Sequence, residues 1–296
     1  MKHTGVTVKK IIEDFCQKLE PDYQRTEILQ FVSILFEYRL GWSRAKVHAE
    51  HSHQLSGTET AAFYKDLSAL AGNEPVQYII GETEFFGSRF FVTPDVLIPR
   101  PETEELVELV ILEVTRCGKS KPTLLDLGTG SGAIAITLKL ALPDCRITAV
   151  DNSPAALEIA RRNAARNHCK VSFLEADIFS PQTLQSCHRF DFIISNPPYV
   201  LESDKAAMRR NVLDHEPGEA LFVPDQDPLL YYKAIADFAA SGKQKNPLIL
   251  AEINEKLGAE TRELFCSRGW ENVTVFKDMN RKDRFVRVSG KNIPIA

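Results

Sequence analysis

The chain has 296 residues, 44% of them hydrophobic and 26% charged, ordinary proportions for a globular protein with ample length to bury a core. Its formal net charge of -4 speaks against nucleic acid held mainly through phosphates, which calls for a basic face. No run of 18 apolar residues occurs, so no membrane-spanning helix is predicted.

The opening MKHTGVTVKKIIEDF lacks an apolar signal core, and Glu13 and Asp14 arrive early, so no secretory or mitochondrial leader is expected. Helical spacings follow. Ile11, Ile12, Phe15 and Leu19 mark one apolar face, and Ile28, Leu29, Val32, Leu35 and Phe36 a second. Ala62, Phe63, Leu67 and Leu70 mark a third. Gly41 and Gly72 read as stops and Ser43 as a cap. Residues 1–73 hold nine Lys/Arg against nine Asp/Glu, so this region reads as a neutral docking or lid domain, not a nucleic-acid arm. His48, His51 and His53 have only Glu50 beside them, and read as a solvated face.

From about residue 75 the pattern changes. EFFGSRFFVTPDVLIP, 84–99, is rich in β-formers and broken by Gly87 and Pro94, which predicts a hairpin. A helix capped near Thr103 follows, with Leu106, Val107, Val110 and Ile111 inward. Strands at 123–127, 146–150, 171–175, 190–195 and 247–253 then alternate with helices at 133–142, 154–167, 228–240 and 255–268. Repeated β-α-β units predict an α/β fold, a parallel sheet with helices on both faces. The last strands, near 272–276 and 284–289, are joined by too few residues for a crossover helix, so an antiparallel tail is expected.

The six cysteines are Cys16, Cys117, Cys145, Cys169, Cys187 and Cys266. None forms a CxxC pair, and the neighbours His168-Cys169 and Cys187-His188 point apart on any regular element, so no metal site is predicted. Scattered thiols suit a reducing, cytoplasmic setting.

LLDLGTGSGAIAI, 124–136, is strand, glycine turn and helix. Gly128, Gly130 and Gly132 keep a G-x-G-x-G spacing, unlike the G-x-G-x-x-G of a dinucleotide site. Asp126 before the turn would repel a phosphate but favour an ammonium. Asp151, ending the next strand, is placed to accept both ribose hydroxyls. After the third strand, Asp177 and Ile178 offer a carboxylate for an adenine amino group and an apolar wall for its ring. Ammonium, ribose and adenine without phosphate point to S-adenosylmethionine. A purely structural turn and a nicotinamide site are the competing readings.

Asn196-Pro197-Pro198-Tyr199 end the fourth strand. The Asn196 side-chain carbonyl and the Pro197 backbone carbonyl are candidate acceptors for the two N–H bonds of one planar NH2 group. The prolines fix φ and hold those acceptors still, and Tyr199 reads as a ring wall. A simple Pro-Pro turn is the plain alternative. No Cys or His lies at this turn, so no covalent intermediate is suggested.

DLGTGSG at 126–132 with NPPY at 196–199 resembles the amino-methyltransferases that modify planar amides or amines. PVQYIIGETEFFGSRFFVTPDVLIPRPETEELVE, 75–108, narrows this: it resembles the glutamine methyltransferases of peptide chain release factors, the HemK or PrmC family. Glu216-Pro217, Ala220-Leu221 and Asp283-Arg284 continue the match. The resemblance implies a Rossmann-like, seven-stranded class I methyltransferase domain at 102–296. A β-hairpin linker at 83–101 and a substrate-docking helical bundle at 1–82 would precede it. It implies methylation of the glutamine amide nitrogen in the Gly-Gly-Gln loop of class-1 release factors, by a cytoplasmic monomer with no nucleic acid or membrane partner. It also implies that Gly128, Thr129, Gly130, Ser131, Gly132, Asp151, the position of Ile178, and Asn196 touch the cofactor. Asn196, Pro197, Pro198 and Tyr199 would meet the glutamine, with Asn196, Pro197 and Tyr199 catalytic. The family often carries an aromatic residue where Ile178 stands, so aliphatic packing on adenine is implied here. Pro99, Arg100 and Glu102 are placed at the pocket rim, with a structural salt bridge the other reading of Arg100. Methylation of a ribosomal-protein glutamine or of a nucleic-acid adenine amine stays open as an alternative.

Overall fold

The computed structural model of the chain describes residues 5–180, 189–241 and 247–290. Cys187 and His188 lie outside the described residues. The chain divides into two compact units, Met1–Gly81 with Arg209–His215, and Glu82–Met208 with Glu216–Ala296. No helix among the described residues is long and apolar enough to cross a membrane.

The smaller unit is helical. Its helices are α1 (Val8–Leu19), α2 (Arg25–Leu40), α3 (Arg44–Ala49), α4 (Gly57–Ala71) and α5 (Val76–Ile80). Their ends are set locally. Thr7 and Ser43 accept N-terminal amides of α1 and α3, and Ser56 with Glu59 forms a reciprocal capping box on α4. Gly41 closes α2 at φ 64°, in the left-handed region where glycine carries no Cβ penalty. Phe15, Phe36 and Phe63 fill the core, the last two with centroids 4.3 Å apart. Arg39 grips the buried Asp66 with two bonds, at 3.0 and 2.7 Å. The segment Arg209–His215 closes on this unit through Arg209 to Glu27 at 2.7 Å and His215 to the Gly72 carbonyl at 3.0 Å.

The larger unit begins with the hairpin β1 (Glu82–Phe85) and β2 (Ser88–Phe91). Phe86 (φ 50°) and Gly87 (φ 71°) are both left-handed, the type I′ turn that suits twisted strands. Helix α6 (Pro101–Arg116) starts earlier than the cap expected at Thr103. Pro101 at the first helical position sets the start, because its missing N–H costs nothing there. Thr103 is thereby a buried residue of the first turn, free to use its hydroxyl elsewhere.

Seven strands form the main sheet: β3 (Thr123–Leu127), β4 (Arg146–Asp151), β5 (Ser172–Glu175), β6 (Phe192–Ser195), β9 (Leu248–Glu252), β10 (Asn272–Lys277) and β11 (Asp283–Ser289). A small parallel pair, β7 (Val200–Leu201) and β8 (Phe222–Val223), stands apart. The sheet order is β10-β11-β9-β6-β3-β4-β5. β9, β6, β3, β4 and β5 run parallel, while β11 lies antiparallel between β9 and β10, the expected tail. Successive side chains leave on opposite faces. Leu124, Ile147, Phe192 and Leu250 therefore pack with α6 and α7 (Ala133–Ala141) on one side. Leu125, Val150, Ile193 and Ile249 pack with α9 (Leu230–Ala240) and α10 (Gly258–Ser267) on the other. Helix α8 (Pro154–Arg166) follows β4. The chain moves outward from β3 to β4 and β5, then crosses back to β6. That reversal opens a crevice at the carboxyl ends of β3 and β6, where ligands of open α/β sheets bind.

Candidate active site

The glycine turn after β3 forms the floor. Gly128, Gly130 and Gly132 have φ of 73°, 54° and 81°. A Cβ at Gly128 or Gly130 would meet nothing within 4 Å, and both residues line the cavity. At Gly132 it would come within 2.9 Å of Ile136 Cδ1 and 3.1 Å of Ala160 Cβ, so this glycine permits close packing of α7 on α8. The Gly128 and Thr129 amides both donate to the Val150 carbonyl at 2.9 Å. Asp151 accepts the Gly130 amide at 2.8 Å and the Ser153 amide at 3.0 Å, one on each oxygen. Each oxygen keeps a lone pair for the cavity that Asp151 lines.

Thr129, Ser131 and Gly132 do not line the cavity. The Thr129 hydroxyl donates to Asp126 at 2.6 Å, and the Ser131 carbonyl accepts from Asn163 at 2.8 Å. Asn163 also pairs with Phe91 in the manner of a strand, accepting its amide at 2.6 Å and donating to its carbonyl at 3.0 Å. Asp126, whose charge bore on the choice of ligand above, is wholly buried beneath the turn and outside the lining. Burial pushes it up to about 7, against the Thr129 hydroxyl and the Ala135 amide, which favour its charged form.

The next two strand ends supply the walls. After β5, Asp177 and Ile178 line the cavity as expected, and so do Phe179 and, from α9, Tyr231. The two rings lie 5.1 Å apart at 55°. The sequence reading gave the apolar contact to Ile178. The signal for Phe179 was its adjacency, and Tyr231 had none, since it arrives from a helix about 50 residues on.

At the end of β6, the Ser195 hydroxyl ties the strand to the Leu127 carbonyl at 2.8 Å. Asn196, Pro197 and Pro198 then line the cavity. Tyr199 does not. Its ring packs on the core and its hydroxyl donates to Glu252 Oε1 at 2.6 Å, turning it inward from the wall position read from sequence. Asn254 holds the Tyr199 carbonyl at 2.9 Å. Thr103 donates to Glu252 Oε2 at 2.9 Å, and the Asn196 amide nitrogen donates to Thr103 Oγ1 at 3.1 Å. Glu252 is buried at the end of β9, and burial raises its pKa against the offsetting Tyr199 and Thr103 hydroxyls. Burial, with the neighbouring Glu252, also raises Tyr199 well above the ordinary phenol range. Arg100 pairs with buried Glu216 at 2.6 Å, so the salt-bridge reading of Arg100 holds. Thr103 and Glu252 were missed as site-supporting residues because nothing local marks them.

The cavity measures about 930 Å³, within the range of small-molecule sites. Further lining comes from Pro94, Val96, Leu97, Glu202, Lys205 and Phe222. A bare two-glycine cradle, a carboxylate with spare lone pairs at Asp151, a second carboxylate at Asp177 and an aromatic-apolar wall together fit a ligand with ribose and adenine parts, while Asp126, sealed beneath the turn, does not reach the cavity that would hold its ammonium.

The model of the PrmC N-terminal domain matches residues 11–81, and that of the methyltransferase small domain matches 108–216. The release factor glutamine methyltransferase of Flavobacterium psychrophilum is 38% identical over 283 residues, covering 95% of this chain and 99% of that protein. The one from Bacteroides thetaiotaomicron is 39% identical over 270 residues, covering 91% and 95%. Among solved structures, the hMettl16 catalytic domain is 16% identical with a TM-score of 0.53, covering 81% of this chain and 85% of that one. A T. Thermophilus 16S rRNA methyltransferase in complex with AdoMet and guanosine is 17% identical with a TM-score of 0.51, covering 71% and 50%. Both show the shared fold.

Proposed function

The chain belongs to the release factor glutamine methyltransferase family, and we propose that it methylates the side-chain amide nitrogen of the glutamine in the Gly-Gly-Gln loop of class-1 release factors. One observation carries the reading: the glycine cradle of β3 and the Asn196-Pro197 acceptors of β6 open into one cavity. Gly128, Gly130, Asp151, Asp177 and Ile178 would hold S-adenosylmethionine, with Thr129, Ser131 and Gly132 shaping the turn. Bound there, the cofactor supplies an electrophilic methyl group.

The chain's own residues do the rest. An amide nitrogen is a poor nucleophile because its lone pair is delocalised into the carbonyl. Asn196 Oδ1 and the Pro197 carbonyl accept its two N–H bonds and favour a pyramidal nitrogen with its lone pair exposed. Such alignment can supply on the order of 7–11 kcal/mol at best. The same acceptors stabilise the positive charge that develops on nitrogen. The extra proton is then acidic and passes to water without a strong base. The helical unit docks the protein substrate, and the enzyme works as a cytoplasmic monomer.

The test is transfer of radiolabelled methyl from S-adenosylmethionine to a release factor, to its Gln→Ala loop variant and to DNA. Label is expected on the unmodified release factor alone. Label on DNA, or equal label on both release factors, would overturn the proposal.

A further inference from the structure

We propose that Glu252 and Thr103 are positioning residues that set which end of the Asn196 amide faces the substrate. Glu252 accepts two hydroxyl protons, from Tyr199 at 2.6 Å and from Thr103 at 2.9 Å. A hydroxyl has one proton to give. With that proton committed to Glu252, Thr103 Oγ1 meets Asn196 as an acceptor, at 3.1 Å. Only the nitrogen end of Asn196 can satisfy an acceptor, so the oxygen end is left for the cavity that Asn196 lines.

The consequence is chemical. An amide can turn end for end within nearly the same volume, because oxygen and nitrogen differ little in size. Turned over, Asn196 would present donors to the NH2 group it must hold, and the substrate would be repelled. Proline restrains the backbone at 197 and 198 but does nothing to choose between the two ends of the Asn196 side chain. The choice comes from three buried or half-buried groups in a row, starting with a carboxylate that accepts and does not donate. The carboxylate itself is anchored by β9, whose Glu252 carbonyl also accepts the Tyr232 hydroxyl at 2.9 Å. Tyr199 belongs to the same device, holding the second oxygen of Glu252.

This inference rests on the glutamine methyltransferase reading, and the experiment separates the two. The full-length protein and the variants Thr103→Ser, Thr103→Val and Glu252→Gln are compared for kcat, KM and cofactor Kd with an intact release factor. The Asn196 side-chain amide is followed in parallel by 15N NMR, assigned through Asn196→Ala. Thr103→Val, of the same shape without a hydroxyl, is expected to lower kcat about 100-fold, the scale of losing one oriented polar contact at a reacting group. Cofactor Kd should move less than threefold. Thr103→Ser is expected to restore kcat to within about threefold of the parent. Glu252→Gln can donate to Thr103, reverse the row, and reproduce the loss. In the parent, one Asn196 amide proton should be protected from exchange, and Thr103→Val should release it. A folded Thr103→Val with near-parent kcat, or equal losses in Ser and Val, would overturn the assignment. So would an unprotected Asn196 amide in the parent, which needs no variant to fold and no substrate. Absence of methyl transfer by the parent, with the amide protected, would instead sink the glutamine methyltransferase reading alone.

Discussion

Single residues here do different work despite similar chemistry. Asp151 lines the cavity with two amide partners, whereas Asp126 is sealed under the same turn and pushed by burial up to about 7. An acid whose folded pKa lies above its unfolded value loses stability as pH rises from the unfolded pKa to the folded one. Asp126 should therefore cost up to roughly 4 kcal/mol across about pH 4 to 7, converting its shift at 1.36 kcal/mol per unit. Asp126→Asn should flatten that part of the pH–stability curve in chemical denaturation. An unchanged slope would mean that Asp126 has other solvation or partners. Asn196→Ala should reduce turnover by about 10²–10³, the cost of losing an oriented polar group at a reacting centre. Its cofactor Kd should stay nearly constant in titration calorimetry, and a comparable loss of affinity would reassign Asn196 chiefly to the cofactor. Most residues of the site were legible at this scale because glycine and proline declare their backbone needs in place. Tyr199 was legible as a site-region residue but not in its direction, since an aromatic ring at a turn packs either way until its hydroxyl finds Glu252.

Elements show how one motif divides its labour. In the turn after β3, Gly130 faces open space while Gly132 faces Ile136 and Ala160. Gly130→Ala should weaken cofactor binding with a stability loss of only about 1–2 kcal/mol, the cost of a left-handed non-glycine residue. Gly132→Ala adds overpacking and should cost roughly 1–3 kcal/mol more. Paired thermal melts and cofactor titrations distinguish the two, and equal effects on both readouts would refute the division. The β-α alternation was readable because strands buried on both faces are short apolar runs and their helices are amphipathic. The antiparallel β11 was readable from connection length. The start of α6 was misplaced because Thr103 looks like a cap from its neighbours alone, while Pro101 carried the stronger signal.

At the scale of the whole molecule, every residue lining the cavity belongs to the larger unit. The helical unit's main buried charge is Asp66, matched by Arg39. Arg39→Ala leaves that carboxylate unpaired and should destabilise the fold by about 3–5 kcal/mol. Cofactor affinity measured below the unfolding transition should be unaffected, and a loss of affinity there would contradict the division of roles. That residues 209–215 complete the helical unit had no sequence signal. Lys205 before them and Pro217 after them line the cavity of the larger unit, and only the packing of Arg209 and His215 reveals the segment's allegiance.

What the sequence determined by itself was the local chemistry: a glycine cradle, a carboxylate at the second strand end, and a proline-stiffened amide at the fourth. Each of these is a backbone or side-chain property expressed within a few residues. Tertiary structure alone decided orientation. It set Thr103 and Glu252 together across 149 residues, turned Tyr199 inward, buried Asp126, and brought Tyr231 against Phe179. A hydrogen bond depends on direction and distance in space, and no spacing along the chain encodes those before the sheet brings its strand ends together.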